Sequence, residues 1–465
     1  VGGLALLAGN LLLFVLRFLP PPNNYYWLAP PAILAAGLWL LTRGWGKWVP
    51  VGLWAITLVI AFGLNGLIWP AVPTTRPLLS GVPGQGTTDG ESLAARPVPD
   101  GHKVALKVTE RFRRGPFVEP RFLTVPRGFS VDLFAAGLDK PRFMTFDEHS
   151  TLYVSLPRSG KIMALPDRDR DGIADRVVTF AEGLDLPHGL AWDKGWLVVA
   201  ETGRLLRLRD RDLDLSADES EVLTRDLPAG DGHWTRTVVV GRDGSYFVSA
   251  GSSCNVCLEK DSRRASITRF NPEGGEGTLF SRGLRNSVGL AVHPATGELW
   301  GSDNGRDLLG DELPPEEINL IVEGGDYGWP FCYGDGEPDP DFGSPQRCAG
   351  TLPPTVKMQA HSAPLGIAFG AGSNFPEPYR SMLFVAFHGS WNRTVPTGYK
   401  LVGIPFSDGR PVGPVTDFAT GWLAGATAWG RPVAPIIGPD GALYLSDDRS
   451  GAVYRITYEG MESPR

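Results

Sequence analysis

The sequence predicts an all-β protein, a six-bladed β-propeller over residues 105–465, preceded by two or three transmembrane helices. Three observations predict it. A strand–turn–strand pattern recurs six times, glycine (59), proline (41) and tryptophan (14) are abundant, and three apolar stretches open the chain. Many short strands joined by turns account for that composition, and a ring of four-stranded blades uses most of the 465 residues while burying a large core between blades.

The apolar stretches cover 2–19, 26–42 and 49–69, each close to the ~20 residues that cross a bilayer as a helix. The second carries Pro30 and Pro31 and is the shortest, hence two or three spans. A signal peptide has one apolar region and a small-residue cleavage site rather than three spans. Arg43 and Lys47, the basic residues between the second and third stretches, put that loop in the cytoplasm and everything after Pro70 outside. Arg17, near the outer end of the first span, runs against this orientation. Trp27, Trp45, Trp48 and Trp69 flank the spans as interfacial anchors do. Residues 1–70 are thus expected to form a membrane anchor and 71–104, rich in Pro, Gly and Thr without periodicity, a linker. The catalytic or binding domain would then be periplasmic or extracellular.

The six units begin at Pro141, Pro187, Arg236, Ser287, Pro364 and Pro432, spaced 46 to 77 residues apart. Blade repeats run about 40–50 residues, and longer intervals mark insertions. Alternation of period two, as in Leu152-Tyr-Val-Ser155, marks strands, and Asp-Gly or Thr-Gly pairs supply hairpin turns. A net charge of −7 excludes a nucleic-acid partner, which calls for a basic surface.

Of the four cysteines, Cys254-Asn-Val-Cys257 has the spacing of a redox motif or half a zinc site, but no second such pair completes four ligands. The oxidising compartment implied by the anchor favours disulfides, Cys254–Cys257 and Cys332–Cys348. There is no CxxCH, so the chain carries no c-type haem.

Function in a propeller collects where loops of several blades converge on the axis, so it must be read from the loops. These hold His188, the run from Gly232 to Arg236 with His233 and Trp234, Ser252 and Asn255, Arg285-Asn286, Asp303 to Asp307, His361, His388 to Arg393, and Trp429 to Arg431. A neutral imidazole is a general base near pH 7, and convergent arginines suit an anionic ligand. Such a histidine serves equally as a hydrogen bond between blades, and such arginines as partners of carboxylates.

The runs Gly283-Leu-Arg285-Asn286-Ser-Val-Gly289, Ser302-Asp-Asn304-Gly305-Arg306, Glu317-Ile-Asn-Leu-Ile and Gly325-Asp-Tyr327-Gly-Trp-Pro330 resemble the pyrroloquinoline-quinone (PQQ) dependent sugar dehydrogenases. The runs around Cys254, His361, His388 and Trp429 resemble the sorbosone-dehydrogenase-like branch most, and the likeness covers roughly 120–458. It implies His233 as the base that takes a sugar hydroxyl proton. Arg285 and Asn286 would face the quinone carbonyls, and Arg431 a cofactor carboxylate. His388 and Arg393 would stand at a cofactor lysine position, and Trp234, Trp391 and Trp429 would be walls. The carbonyls of Gly305 and Arg306 would hold the calcium beneath PQQ, and Glu317 and Tyr327 a structural calcium. Where the family has an aspartate beside the catalytic histidine, this chain has Ser252; the residue before His233 is Gly232, with Asp231 one further back. The expected activity is oxidation of a sugar by PQQ and Ca²⁺, with electrons passed to a membrane quinone or a cytochrome.

Separately, Asp167-x-Asp169-x-Asp171-Gly172-x-x-Asp175 has the carboxylate spacing and sixth-position glycine of a calcium loop, though Val178 stands where a bidentate Glu would close it. It reads as a peripheral calcium site or a solvated acidic turn. Asp210-x-Asp212-x-Asp214 repeats the spacing with Leu215 in place of glycine and reads as a turn. Two other classes compete: a calcium-dependent lactonase built on Asp303, Asn304 and Asp447, which leaves the arginines without a role, and a non-catalytic binding propeller.

Overall fold

The computed structural model describes residues 93–460. The expected anchor (1–70) and most of the linker lie outside the described residues. Among the described residues no helix is long and apolar enough to cross a membrane.

Six antiparallel sheets follow one another along the chain, one per predicted unit. Blade 1 is Met144–Phe146, Leu152–Leu156, Lys161–Leu165 and Val178–Ala181. Blade 2 is Gly189–Asp193, Trp196–Ala200, Leu205–Arg209 and Glu219–Thr224. Blade 3 is Arg236–Val240, Tyr246–Ala250, Ser266–Asn271 and Gly274–Arg282. Blade 4 is Ser287–Val292, Leu299–Asp303, Glu316–Ile321 and Val356–Met358. Blade 5 is Pro364–Phe369, Met382–Phe387, Lys400–Ser407 and Thr416–Ala419. Blade 6 takes Pro432–Ile437, Leu443–Asp447 and Ala452–Tyr458 from the C-terminal end and its outer strand, Phe129–Ala136, from before blade 1. Phe129 pairs with Tyr458 and Ala136 with Ala452, so the ring is closed by hydrogen bonds between chain segments more than 300 residues apart.

The stretch leading into blade 6 is also part of the fold. Arg96 bridges to Thr416, and His102–Ala105 pairs with Phe122–Val125. Leu106, Phe112 and Phe117 pack with Trp422 and Tyr454.

Burial follows from the ring. The second strand of a blade has a neighbouring blade on each face, so Leu152–Leu156, Tyr246–Ala250 and Leu443–Asp447 are buried at every position. Outer strands such as Glu219–Thr224 meet solvent and carry charge. The apolar clusters lie between successive blades, for example Tyr153, Ile162 and Phe180 against Leu190, Leu197 and Val199. On the axis Phe143, Val288, Leu365, Val433 and Ala434 form a further cluster.

The first and second strands carry a second, polar repeat. Ser155 Oγ donates to the His188 carbonyl of the next blade at 2.8 Å, Thr237 Oγ1 to Val288 at 2.6 Å, Ser302 Oγ to Leu365 at 2.6 Å and Ser446 Oγ to Arg142 at 2.5 Å. Between blades 2 and 3 the His188 ring takes this role, with Nδ1 3.2 Å from the Arg236 carbonyl. Glycine permits the approach these bonds need: a Cβ on Gly289 would lie 2.1 Å from the Leu365 oxygen, and one on Gly366 2.6 Å from the Ala434 Cα.

Ser302 both accepts from the Gly289 N–H at 3.0 Å and donates to Leu365. Ser302→Ala leaves two buried backbone groups unpaired, and we expect it to lower the unfolding free energy by about 1–3 kcal/mol in urea denaturation. A change no larger than that of Thr296→Ala on the surface would show that these bridges are dispensable.

Candidate active site

In each blade the connections from strand two to three, and from strand four into the next blade, emerge at the same end of the ring. All the axial residues singled out from the sequence are on these connections or at the adjoining strand ends. Asp167, Asp169, Asp171 and Asp175 lie between strands three and four, at the opposite end.

His233 sits in the connection from blade 2 to blade 3. Its Nδ1 is 2.9 Å from the Ser252 carbonyl and 3.0 Å from Ser252 Oγ. A carbonyl only accepts, so Nδ1 carries the proton. The Ser252 hydroxyl donates to the Cys254 carbonyl at 2.7 Å, so it too accepts from the ring. Nε2 is left with its lone pair and with no hydrogen-bond partner among the described residues. Burial, then the charges of Arg285, Arg264 and Arg236, lower the imidazole pKa to about 3. Arg236 Nη1 donates to the His233 carbonyl at 2.9 Å and Arg264 Nη1 at 3.3 Å, which fixes the backbone as Ser252 fixes the ring. Gly251 separates His233 from Asn286: a Cβ there would meet Asn286 Oδ1 at 2.3 Å and His233 Cβ at 2.8 Å.

Arg285 is buried and spent. Its guanidinium donates to Asn255 O (2.9 Å), Asn255 Oδ1 (2.9 Å), Asn304 O (3.2 Å), Gly305 O (2.8 Å) and Asp307 Oδ2 (3.1 Å). It therefore organises the loop that follows Asp303 rather than standing free on the axis. Beneath it Gly305, Arg306, Glu317 and Tyr327, the residues expected at two calcium sites, line one small cavity of about 20 Å³ with Asp303 and Asp339. Burial raises Glu317 to about 8 and Asp303 to about 6, and the adjoining Glu316 to about 8. Room for one water or ion, buried carboxylate oxygens and an unpaired Asn319 Oδ1 beside Glu317 are a donor set that fits calcium. The Arg306 side chain is committed to Asp339 (2.7 Å) and Asp341 (2.9 Å).

On the far side of the axis, His388 Nε2 is 2.9 Å from Asp448 Oδ1, and Arg142 Nη1 2.8 Å from Asp448 Oδ2. Burial lowers His388 to about 4, with Asp448 acting against this and Arg431 and Arg142 adding to it. Burial alone would raise Asp448, but the His388 hydrogen bond and the His388 and Arg142 charges hold it well below the usual carboxylate range. Arg431 donates to the carbonyls of His388 (3.0 Å) and Gly389 (2.7 Å). Arg142 also lies 5.9 Å from the Trp234 ring, whose backbone carbonyl accepts from Thr202. The Arg142 Nε is buried without a hydrogen-bond partner among the described residues. A buried, half-used guanidinium beside Trp234, with Arg431 close by, fits a planar polycarboxylate such as PQQ.

Other expected residues are placed elsewhere. Arg393 pairs with Glu312 and the Asp311 carbonyl, and Trp391 is 72% exposed. His361 Nε2 is 2.8 Å from the Gly310 carbonyl. His188 is a bond between blades. Both cysteine pairs are bridged, Cys254–Cys257 and Cys332–Cys348. Asp167, Asp169 and Asp175 present carboxylate oxygens within 4.8 Å of one another, and so do Asp210, Asp212 and Asp218. The two loops share one geometry, the Gly172 N–H on Asp167 (3.0 Å) matching the Leu215 N–H on Asp210 (2.8 Å). Leu215 at φ +74 takes the left-handed conformation that Gly172 holds at +83.

Arg142, Asp448 and Glu316 were not singled out from the sequence. Arg142 had a signal: it occupies the second position of its repeat, as His188 does.

Residues 123–459 match the TrAA12-like family. An uncharacterized protein of Borreliella burgdorferi is 30% identical across 72% of this chain and 91% of its own length. The pyrroloquinoline quinone-dependent pyranose dehydrogenase of Coprinopsis cinerea is 26% identical across 73% of this chain, which spans 55% of that longer protein. The solved PQQ domain of the same enzyme, in its holo form, superposes with a TM-score of 0.62 at 24% identity, covering 72% of this chain and 97% of that one. That likeness bears on the fold.

Asp448 joins blades 5, 6 and 1 through two buried partners. Asp448→Ala strands the Arg142 guanidinium, and we expect a loss of about 3–5 kcal/mol in denaturant unfolding. Arg142→Met in the same chain should recover most of it, and a double-mutant cycle with no coupling would show the pair to be incidental.

Proposed function

The chain belongs to the TrAA12-like family, and from that premise we propose that it is a PQQ- and calcium-dependent sugar dehydrogenase in which His233 is the base. The observation that carries this is the single open nitrogen of His233. With Nδ1 committed to Ser252, Nε2 is an unprotonated acceptor at the loop-bearing end of the ring. Bound PQQ supplies the two-electron acceptor for the hydride of the sugar carbon. The chain's own residues do the rest. His233 Nε2 takes the hydroxyl proton, Arg142 and Arg431 hold carboxylates, and Trp234 gives a flat wall. Asn286 lies across Gly251 from the base, and Gly305, Arg306 and Glu317 line the space for calcium.

An aldose, sorbosone or related sugar is the substrate class this reading takes. The two disulfides support an oxidising compartment, periplasmic or extracellular, and the N-terminal apolar stretches support a membrane attachment with a quinone or cytochrome as acceptor. The lactonase reading is weakened by the engagement of its carboxylates. Asp447 accepts from the N–H groups of Arg431, Arg449 and Ser450 and from Tyr454, and Asp303 from Asn286 and Ser287.

Adding a sugar to the PQQ- and calcium-loaded chain should bleach the quinone absorbance. His233→Ala should bind PQQ as tightly but turn over about 10²–10⁴-fold more slowly. Because burial and three arginines depress His233 to about 3, the base stays neutral on acidification, and kcat/KM should show no acid limb at the free-histidine value near 6.5. Ser252→Asp puts a carboxylate on Nδ1 and should move that limb towards neutrality. Failure of PQQ to bind, or a wild-type limb at about 6.5, would overturn the assignment.

Calcium must displace the protons that burial places on Glu317. Calorimetry at pH 7 in two buffers of different ionisation enthalpy should therefore show proton release on calcium binding, lost in Glu317→Gln. Binding with no proton release would place the ion elsewhere.

A further inference from the structure

The connection after Tyr246–Ala250 closes on itself through Cys254–Cys257, and two of its residues hold the machinery on either side. Ser252 fixes the His233 ring, and its hydroxyl is in turn held by the Cys254 carbonyl. Asn255, inside the bridged ring, is the main partner of Arg285. Its carbonyl takes Nε and its Oδ1 takes Nη2. The Asn255 side chain also forms a reciprocal pair with Asp307, accepting its N–H at 2.8 Å and donating to its carbonyl at 3.1 Å. Arg285 then holds the Gly305 carbonyl.

We propose that the Cys254–Cys257 disulfide is a reducible clasp on the active site, with Asn255 as the positioning residue it presents, so that a dithiol reductant silences turnover while the propeller stays folded. This rests on the dehydrogenase reading above. Two observations separate this bridge from the other. Both of its cysteines are half-buried, whereas Cys332 and Cys348 are buried, at 5% and 9% exposure, so a reductant reaches the first pair sooner. Its sequence separation is 3 against 16. A short loop removes little chain entropy from the unfolded state, so opening it acts on the loop and not on the fold. In the exchange, a thiolate of the dithiol attacks one protein sulfur and its second thiol resolves the mixed disulfide. Cys254 and Cys257 end as two thiols and the reductant as a disulfide, with two electrons and two protons transferred.

The test uses the full PQQ- and calcium-loaded chain, titrated with dithiothreitol. Alkylation and mass spectrometry identify the point where Cys254 and Cys257 are free and Cys332–Cys348 is intact. There kcat should fall at least about tenfold, as expected when a site is displaced by a fraction of an ångström to an ångström, while KM changes far less. Hydrogen exchange at the Asp307 amide should rise, the melting transition should persist, and reoxidation should restore kcat. Asn255→Ala, with the bridge intact, should reproduce the loss of kcat, and Cys254→Ser/Cys257→Ser should do so without reductant. Undiminished kcat with both thiols free, or unchanged exchange at Asp307, would overturn the clasp. If the untreated enzyme shows no sugar-dependent turnover, the dehydrogenase reading fails on its own, and the exchange measurement still decides whether the clasp holds the loop.

Discussion

Every blade of this ring faces the same difficulty: its innermost strand has an edge with no further strand to pair with. An unpaired edge exposes backbone N–H and C=O groups that must be satisfied. At five of the six boundaries the answer is a side chain reaching across. Ser155, Thr237, Ser302 and Ser446 each donate to an innermost carbonyl of the neighbouring blade, and His188 does the same with its ring. The apolar clusters between blades supply the bulk of the burial, but they are not directional. The polar bridges set how one innermost strand lies against the next, and glycines at the closest approaches let them form.

The site inherits its geometry from that arrangement. Arg142, His188 and Arg236 stand at the first or second position of three successive repeats, immediately before the residues that settle the inner edge. Two of them are spent on structure: His188 on the Arg236 carbonyl, and Arg236 on the loop carbonyls of Pro228, His233 and Thr235. Arg142 alone reaches a carboxylate, Asp448, and through it His388. From there the His388 N–H donates to the Ala363 carbonyl, and the carbonyl of the next residue, Pro364, accepts from the Asn304 side chain, which also donates to the Asn286 carbonyl. The ring thus supports a run of polar contacts at one end that links blades 1, 6, 5 and 4.

Much of this is legible in the amino-acid sequence. The innermost strands begin at or within three residues of the repeat starts, because alternation and turn chemistry are local signals. His233, Ser252, Asn286, His388 and Arg431 were legible as loop residues at equivalent blade positions, and the expected oxidising compartment favoured the disulfides that the structure holds. What was not legible is how each charge is spent. Arg285, Arg393 and Arg431 look alike in sequence. The structure buries the first in a cage of five acceptors, ties the second to Glu312, and leaves the third across two backbone carbonyls beside Tyr399. Such differences depend on loops brought together from distant parts of the chain. Asp448 was hidden for the same reason, since its partners lie 60 and 306 residues away. Leu215 shows the limit of motif reading in the other direction. Its loop adopts the geometry of the glycine-bearing loop in blade 1, because the Asp210 carboxylate captures the Leu215 N–H and holds the residue at positive φ.

The electrostatics of the two sides of the axis are complementary. Around His233 the near charges are Arg285, Arg264 and Arg236, and around His388 they are Asp448, Arg431 and Arg142. Burial and cationic neighbours act in the same direction on both imidazoles, so both are neutral without any proton being taken up at physiological pH. A carboxylate placed against His233 would raise its pKa; Ser252 orients the ring without that charge. The arrangement orients the His233 ring and keeps it neutral at once, while Arg142 and Arg431 place positive charge on the other side of the axis. Once an anion is seated there, its charge offsets theirs and the His388 pKa moves back towards its ordinary value. His233, whose depression owes most to burial and to arginines already committed to the protein, moves less. His233 is thus held neutral by burial and by three arginines that the protein itself engages: Arg236 and Arg264 on backbone carbonyls, and Arg285 on Asn255, Asn304, Gly305 and Asp307.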